Sequence, residues 1–110
     1  MHRGTNPKIK IEVNVDTSLI VDARVTLKQD AYVVKKKYAE CTISEGFITT
    51  QLTEDDTLGL KAGKEVEIQA KVKLSDGTIA CTNISKIYVK ENLDEEKFDE
   101  VEEVQEEEVI

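Results

Sequence analysis

The residues of this chain that could support chemistry are few and far apart. His2 is the only histidine and lies on a terminus that we expect to be mobile, so no serine or cysteine has a histidine partner for nucleophilic catalysis. Cys41, Cys81 and one terminal histidine do not make a zinc site. No glycine-rich phosphate loop is followed by a helix. We therefore predict no catalytic residue, no metal and no cofactor, and we expect that the protein is not an enzyme.

The acidic run Thr53-Glu54-Asp55-Asp56 has two competing interpretations, a helix cap and a cation site. A threonine followed three residues later by an acid is a capping signature. Calcium loops alternate oxygen ligands around a glycine, and that spacing is absent here. The run therefore predicts a single helical turn that ends by Gly59 or Gly63. Leu58 and Leu60 would then close one end of the core.

The two cysteines could form a disulfide or remain buried thiols, and the compartment decides between them. The first ten residues, MHRGTNPKIK, lack the apolar segment of a secretory signal. No apolar run approaches the roughly 18 residues that span a bilayer. We expect a protein made in a cytoplasm, with free thiols and no membrane partner.

The charge of the chain is concentrated at one end. The protein carries −8 overall, and residues 91–110 hold eleven acids and one base, which leaves a nearly neutral +2 for residues 1–90. This division predicts one globular domain over residues 1–90 and an acidic tail over residues 91–110. A net-negative chain repels phosphate backbones, so no nucleic-acid partner is expected.

Strand periodicity dominates the first 90 residues. From Glu65 to Leu74 apolar and polar residues alternate strictly, which gives a strand one apolar and one charged face. Ser75-Asp76-Gly77 then predicts a turn, with residues 78–82 returning antiparallel. Further strands are predicted over residues 8–15, 19–28, 31–39 and 47–52, with a last strand that ends at Val89.

Two of these strands carry specific expectations about facing. Residues 19–28 should point alternate side chains inward, and these are Leu19, Val21, Ala23, Val25 and Leu27. In the last strand the inward side chains should be Ile84, Ile87 and Val89. Turns are expected at Gln29-Asp30 and at Ser44-Glu45-Gly46. About seven short strands at this spacing predict an all-β fold, a two-sheet antiparallel β-sandwich of immunoglobulin-like type.

Residues 31–39 read as an edge strand that could bind a partner by adding to its sheet. Lys36 interrupts the apolar face of this strand, and lysine on an edge discourages unwanted pairing. The run Lys35-Lys36-Lys37 is interpreted as a solvated face, and residues 41–43 as an extension of the strand. The partner-binding candidates here are Tyr32, Val34, Lys36 and Tyr38.

The acidic tail offers a second set of partner-binding candidates, at helical spacing: Leu93, Phe98, Val101 and Val104. Adjacent acids repel one another in a helix, and a helix of this length is marginal alone. We therefore expect the tail to be disordered or loosely helical and to become ordered on a partner.

Several blocks of the sequence, in their order and spacing, resemble a family of small β-sandwich proteins encoded among the structural genes of tailed phages and prophages of Gram-positive bacteria. The resemblance covers about residues 1–90. Its blocks are Arg3-Gly4-Thr5-Asn6-Pro7, Asp16-Thr17-Ser18-Leu19-Ile20, Leu52-Thr53-Glu54-Asp55-Asp56-Thr57-Leu58, Val66-Glu67-Ile68-Gln69 and Asp76-Gly77-Thr78-Ile79-Ala80. The resemblance implies a phage structural or interaction protein, and it implies no catalytic residues.

Three functional hypotheses follow. The first is a phage or prophage virion structural or accessory protein, located in the host cytoplasm during assembly and then in the virion. Its partners would be other virion proteins or further copies of itself. The second is a phage-encoded adaptor or inhibitor that uses the acidic tail to occupy a host protein. The third is that the tail serves only solubility.

Overall fold

A computed structural model describes residues 1–98 and 107–109, and within them most of the regular secondary structure is β-strand. One short α-helix, α1 (Glu54–Leu58), and two 3-10 helices (Thr17–Leu19 and Tyr38–Glu40) interrupt them. The strands are β1 (Lys8–Glu12), β2 (Ile20–Gln29), β3 (Tyr32–Lys37), β4 (Cys41–Ser44), β5 (Phe47–Gln51), β6 (Glu65–Leu74), β7 (Ile79–Cys81), β8 (Ser85–Tyr88) and β9 (Glu107–Val109).

The strands form two sheets. One has the order β4-β5-β1-β9, and the other has the order β3-β2-β6-β7, with β8 also paired to β6. Strands β1 to β8 pair only antiparallel, whereas β9 runs parallel to β1. The predicted all-β, two-sheet antiparallel fold is confirmed.

The core lies between the inner faces of the two sheets. Val66, Ile68, Ala70 and Val72 of β6 are buried, as their alternation predicts, and Ile9, Ile11 and Ile48 meet them from the other sheet. Each valine and isoleucine side chain among them contributes about 1.5–3 kcal/mol when it is removed from water. The turn after β6 and the antiparallel return of β7 are also confirmed.

The start of β2 corrects the predicted facing. Leu19 and Val21 are 44% and 49% exposed, while Ile20 between them is only 7% exposed. The pairing of β2 with β6 shifts register between Ile20 and Asp22. Such a bulge adds one residue to a strand, so the side chains before it point to the opposite face.

The edge strand ends earlier than predicted. The 3-10 helix Tyr38–Glu40 closes β3, because the Glu40 carboxylate accepts a hydrogen bond from the Lys37 N–H at 2.8 Å. The chain then crosses to the other sheet as β4, so residues 41–43 do not extend β3. Two turns are confirmed, with the left-handed positions at Asp30 in one and at Glu45 and Gly46 in the other.

The two strands predicted after the Ser75-Asp76-Gly77 turn are present as β7 and β8, and both pair with β6. Thr82, between β7 and β8, accepts a hydrogen bond from the Ala70 N–H through its hydroxyl at 3.0 Å, and its own N–H donates to the Ala70 carbonyl at 2.9 Å. Ile87 and Val89 are buried as predicted. Ile84 lies in the irregular connection and is exposed, which corrects the prediction.

Both ends of the described chain also differ from expectation. Met1 is buried, and its amine donates to the Tyr88 carbonyl at 3.1 Å, so this end is packed rather than mobile. In the tail, which was expected to be disordered or loosely helical, residues 91–98 form no helix or strand, and Glu107–Val109 form β9, which was not predicted. Val101 and Val104 lie outside the described residues. None of the described helices has the length and apolar character that a bilayer crossing requires.

Candidate functional site

The acidic run at α1 is a helix cap. The Asp56 N–H donates to the Thr53 hydroxyl at 3.0 Å, and the Thr53 N–H donates to the Asp56 carboxylate at 2.8 Å, as the capping prediction requires. Thr57 is fully buried, and its hydroxyl bonds both the N–H and the carbonyl of Thr5. Within the described residues no group of three or more acids, histidines or cysteines could hold a metal ion. We call residues 53–60, with the side chains that pack on them, the α1 corner.

Lys36 and Asp56 form an ion pair in this corner, with Nζ and Oδ2 2.7 Å apart. Lys36 points inward and is only 8% exposed. Burial raises the pKa of the Asp56 carboxyl, but the hydrogen bonds from Lys36 and Thr53 outweigh that effect and hold the pKa below its usual value. A buried ammonium requires such a partner, because leaving it unpaired costs several kcal/mol.

Tyr32 also belongs to the corner. Its hydroxyl donates to the Asp56 carbonyl at 2.9 Å, and burial together with the charges of Asp56 and Asp55 raises its pKa. The ring lies directly on Gly59, where a Cβ would come within 2.1 Å of the ring Cζ. The side chains of Tyr32 and Lys36 thus point inward and contact Asp56, and the Val34 side chain is buried beside them.

The sequence-predicted partner residues are therefore not assembled into one surface. On β3 the strand edge is present, but Tyr32, Val34 and Lys36 face inward, and of these four candidates only Tyr38, in the 3-10 helix after β3, has an exposed ring. In the tail, Leu93 is fully exposed and Phe98 is 80% exposed. They do not form a helical stripe, because residues 91–98 are irregular.

The root of the acidic tail is attached to the α1 corner through charged side chains. Arg3 donates to the Leu60 carbonyl at 2.6 Å and the Leu58 carbonyl at 2.8 Å, and it also pairs with Glu95. Lys97 pairs with Asp55, with Nζ and Oδ1 3.0 Å apart. Phe98 then borders an open cleft of about 580 Å³ beside α1.

A row of positive charges crosses the outer face of the five-stranded sheet. Arg24 on β2 lies directly opposite Lys37 on β3 and directly opposite Lys71 on β6. We call these three residues the cation row. All three are exposed, and none has an ion-pair partner among the residues that the structure describes. Like charges placed directly opposite on a sheet are destabilising.

The rest of this outer face is also more basic than acidic. Its remaining charged residues are Lys28, Lys35, Lys73, Lys86, Asp22, Glu65 and Glu67. We call the outer surface of the five-stranded sheet, including the cation row, the basic face. Lys28 and Lys86 lie opposite Glu67, and Lys73 lies opposite Asp22, so acids accompany these lysines but not the cation row.

Sequence reasoning missed the cation row. The run Lys35-Lys36-Lys37 was interpreted as a solvated face, and this holds for Lys35 and Lys37, whereas Lys36 is buried. Arg24 and Lys71 are distant from this run in sequence, and only the strand register places them beside Lys37. The sequence does predict part of the row, because alternation places Arg24 and Lys71 at outward-facing positions of their strands.

The two cysteines are free thiols in different sheets. Cys41 on β4 is half-buried, and burial raises the pKa of its thiol. Cys81 on β7 is exposed rather than buried, which corrects the expectation of two buried thiols, and it lies directly opposite Lys71 at the end of the cation row.

No protein-family model, curated protein or solved structure matches this chain significantly. The resemblance to phage proteins therefore stays an expectation.

Proposed function

We propose that this protein is a non-enzymatic virion structural or accessory protein of a phage or prophage, and that it acts through protein–protein contacts. The observation that carries the proposal is the cation row on the basic face. Among the described residues these three exposed cations have no ion-pair partner, and Arg24 lies directly opposite both lysines, so their repulsion makes the isolated sheet less stable. An acidic protein surface placed on them would relieve that repulsion and steer the encounter.

The position of the row suits a docking surface. Lys37 belongs to β3, which is an edge strand, so a partner on the row also lies beside an unpaired sheet edge. The neighbouring lysine at position 35 discourages unspecific strand addition there. The phage setting is supported by the sequence blocks that resemble the phage family.

Mass spectrometry of purified particles tests the proposal. The protein should be present in particles in a fixed ratio to the major structural proteins. The double variant Arg24→Glu/Lys71→Glu should be depleted from particles, because it reverses the charge of the row. Lys61→Glu/Lys90→Glu changes the net charge equally on other surfaces and serves as the control. A protein that is abundant in infected cells but missing from particles would overturn the proposal.

The acidic tail favours a second candidate, a phage-encoded adaptor or inhibitor of a host protein. Phe98 is 80% exposed at the start of a run in which acids predominate, and an apolar anchor beside many carboxylates suits a basic groove on a partner. Pull-down from host lysate separates the candidates. Capture that depends on Phe98 and on the acids after it supports the adaptor.

A further inference from the structure

The molecule separates its charges onto two regions. The basic face carries seven cations and three acids, whereas residues 91–110 carry eleven acids and one base. At an ionic strength near 0.15 M, charges further apart than about 8 Å are screened from one another. Neutralisation therefore requires direct contact between the two regions.

The two described parts of the acidic tail (residues 91–98 and 107–109), which we also call the acidic segment, are held away from the basic face of the same chain. β9 pairs with β1 in the four-stranded sheet, with Glu107 opposite Lys8. On the other flank, Lys97 is paired with Asp55 of α1. The inner faces of the two sheets share one core, so the basic face looks away from the four-stranded sheet.

We propose that the basic face binds the acidic segment, residues 91–110, of a second copy of this protein. The cation row crosses three neighbouring strands and so spans about 10 Å at roughly 4.8 Å per strand. Side chains on one side of an extended segment repeat about every 7 Å, so the row can meet two carboxylates at once. Each copy offers both a face and a segment, which makes the contact head-to-tail and allows a ring or a filament.

The second copy would occupy the same cation row that carries the proposed function, so the inference rests on that docking surface. Self-association is measured on the purified protein alone, whereas incorporation is measured in particles. Failure of one is therefore distinguishable from failure of the other.

Sedimentation of the full-length protein gives the first test. At about 20 mM salt we expect concentration-dependent association, with an apparent dissociation constant that rises about tenfold or more at about 0.5 M salt. Arg24→Glu/Lys71→Glu should remain monomeric, while the charge-matched Lys61→Glu/Lys90→Glu should associate like the wild type. All four substituted residues are exposed, and unchanged circular dichroism melting checks that each variant folds.

A mixing experiment gives the decisive test. A variant with Glu100, Glu102, Glu103 and Glu106 changed to Gln keeps the basic face but loses much of the acidic charge. Alone, it should be monomeric, as should Arg24→Glu/Lys71→Glu. Mixed together, the two should form heterodimers, because one supplies a face and the other an intact segment. Two variants that stay monomeric when mixed would overturn the proposal.

Protection of Cys81 gives an independent measurement on the unmodified sequence. Cys81 lies directly opposite Lys71, so a segment on the cation row should slow its reaction with a maleimide several-fold at low salt. The half-buried Cys41 provides the internal reference. Equal rates at all protein concentrations would contradict the proposal. Tight, salt-dependent binding of an oligonucleotide by a strictly monomeric protein would instead assign the basic face to a phosphate backbone.

Discussion

Lys36 shows how far a single residue could be predicted. Alternation along β3 places it on the same face as Tyr32 and Val34, so its inward position was available from the sequence. The sequence does not reveal its carboxylate partner, because Asp56 comes twenty positions later and meets Lys36 only where α1 packs against β3. Periodicity defines a face, whereas contacts between distant residues depend on how elements pack.

The Lys36–Asp56 pair makes a specific prediction for stability. Asp56→Asn leaves the mostly buried Lys36 ammonium unpaired and should lower the free energy of unfolding by about 2–3 kcal/mol. Lys36→Met removes the charge itself and keeps the aliphatic volume, so it should cost clearly less. Urea denaturation with an unchanged m-value measures both. Equal losses in the two variants would show that an unpaired ammonium is not the cause.

The two thiols should differ in reactivity. Cys81 is exposed, whereas Cys41 is half-buried with a raised pKa, so Cys41 has less thiolate and less access for a reagent. In the native protein a disulfide reagent should modify Cys81 first, and Cys41 should react at a comparable rate only after unfolding. Faster modification of Cys41 in Cys81→Ser than of Cys81 in Cys41→Ser would contradict the structure.

At the scale of the elements, uninterrupted alternation correctly predicted strands and their buried faces, whereas short irregularities within strands were not predicted. β6 alternates over ten residues and ends in a Ser-Asp-Gly turn, so strand, facing and hairpin were all predicted. Leu19 and Val21 fit the same pattern as the rest of β2, but one bulge reverses their facing. A bulge shifts the strand register by one residue, and no residue type in this part of the sequence indicates where it occurs.

The bulge predicts that two neighbouring substitutions destabilise the protein to different extents. Ile20→Ala should destabilise the protein by about 2–3 kcal/mol, because the side chain is nearly buried. Val21→Ala removes a half-exposed side chain and should cost at most about 1 kcal/mol through strand propensity. Thermal or urea unfolding of the two variants compares them directly. A larger loss of stability for Val21→Ala than for Ile20→Ala would instead support an inward-facing Val21, as simple alternation predicts.

Crossovers between sheets were the other element that sequence patterns did not reveal. β3 and β4 are separated only by the 3-10 helix Tyr38–Glu40, yet they belong to different sheets. The cation row depends on the same information, since it needs the register of β2 with both of its neighbours. The site was therefore less predictable than the fold.

At the scale of the whole molecule, the response to acid has a defined sign. Hydrogen bonds hold the pKa values of four aspartates below their usual range, mainly from Ser18 to Asp16, Lys64 to Asp30, Lys36 and Thr53 to Asp56, and Thr78 to Asp76. A carboxyl whose pKa is lower in the folded state stabilises that state above its unfolded pKa of about 3.9 and loses this effect as the pH falls.

The melting temperature should therefore change little from about pH 7 to pH 5 and should decline below about pH 4. Asp56 is the least exposed of these four aspartates. Asp56→Asn should therefore reduce the acid-induced fall in melting temperature more than Asp76→Asn does. Differential scanning calorimetry across this range measures the effect. A melting temperature that rises on acidification would mean that repulsion among the acids outweighs these hydrogen bonds.

The packing of Arg3 has a consequence for the order in which the protein is assembled during synthesis. Its guanidinium holds carbonyls 55 and 57 positions later, at Leu58 and Leu60, and reaches on to Glu95. None of these groups has left the ribosome when Arg3 emerges, so the Arg3 side chain reaches its packed position only after they follow. Together with a topology of widely separated strand pairs, this indicates folding over milliseconds to seconds, completed only after translation has passed α1.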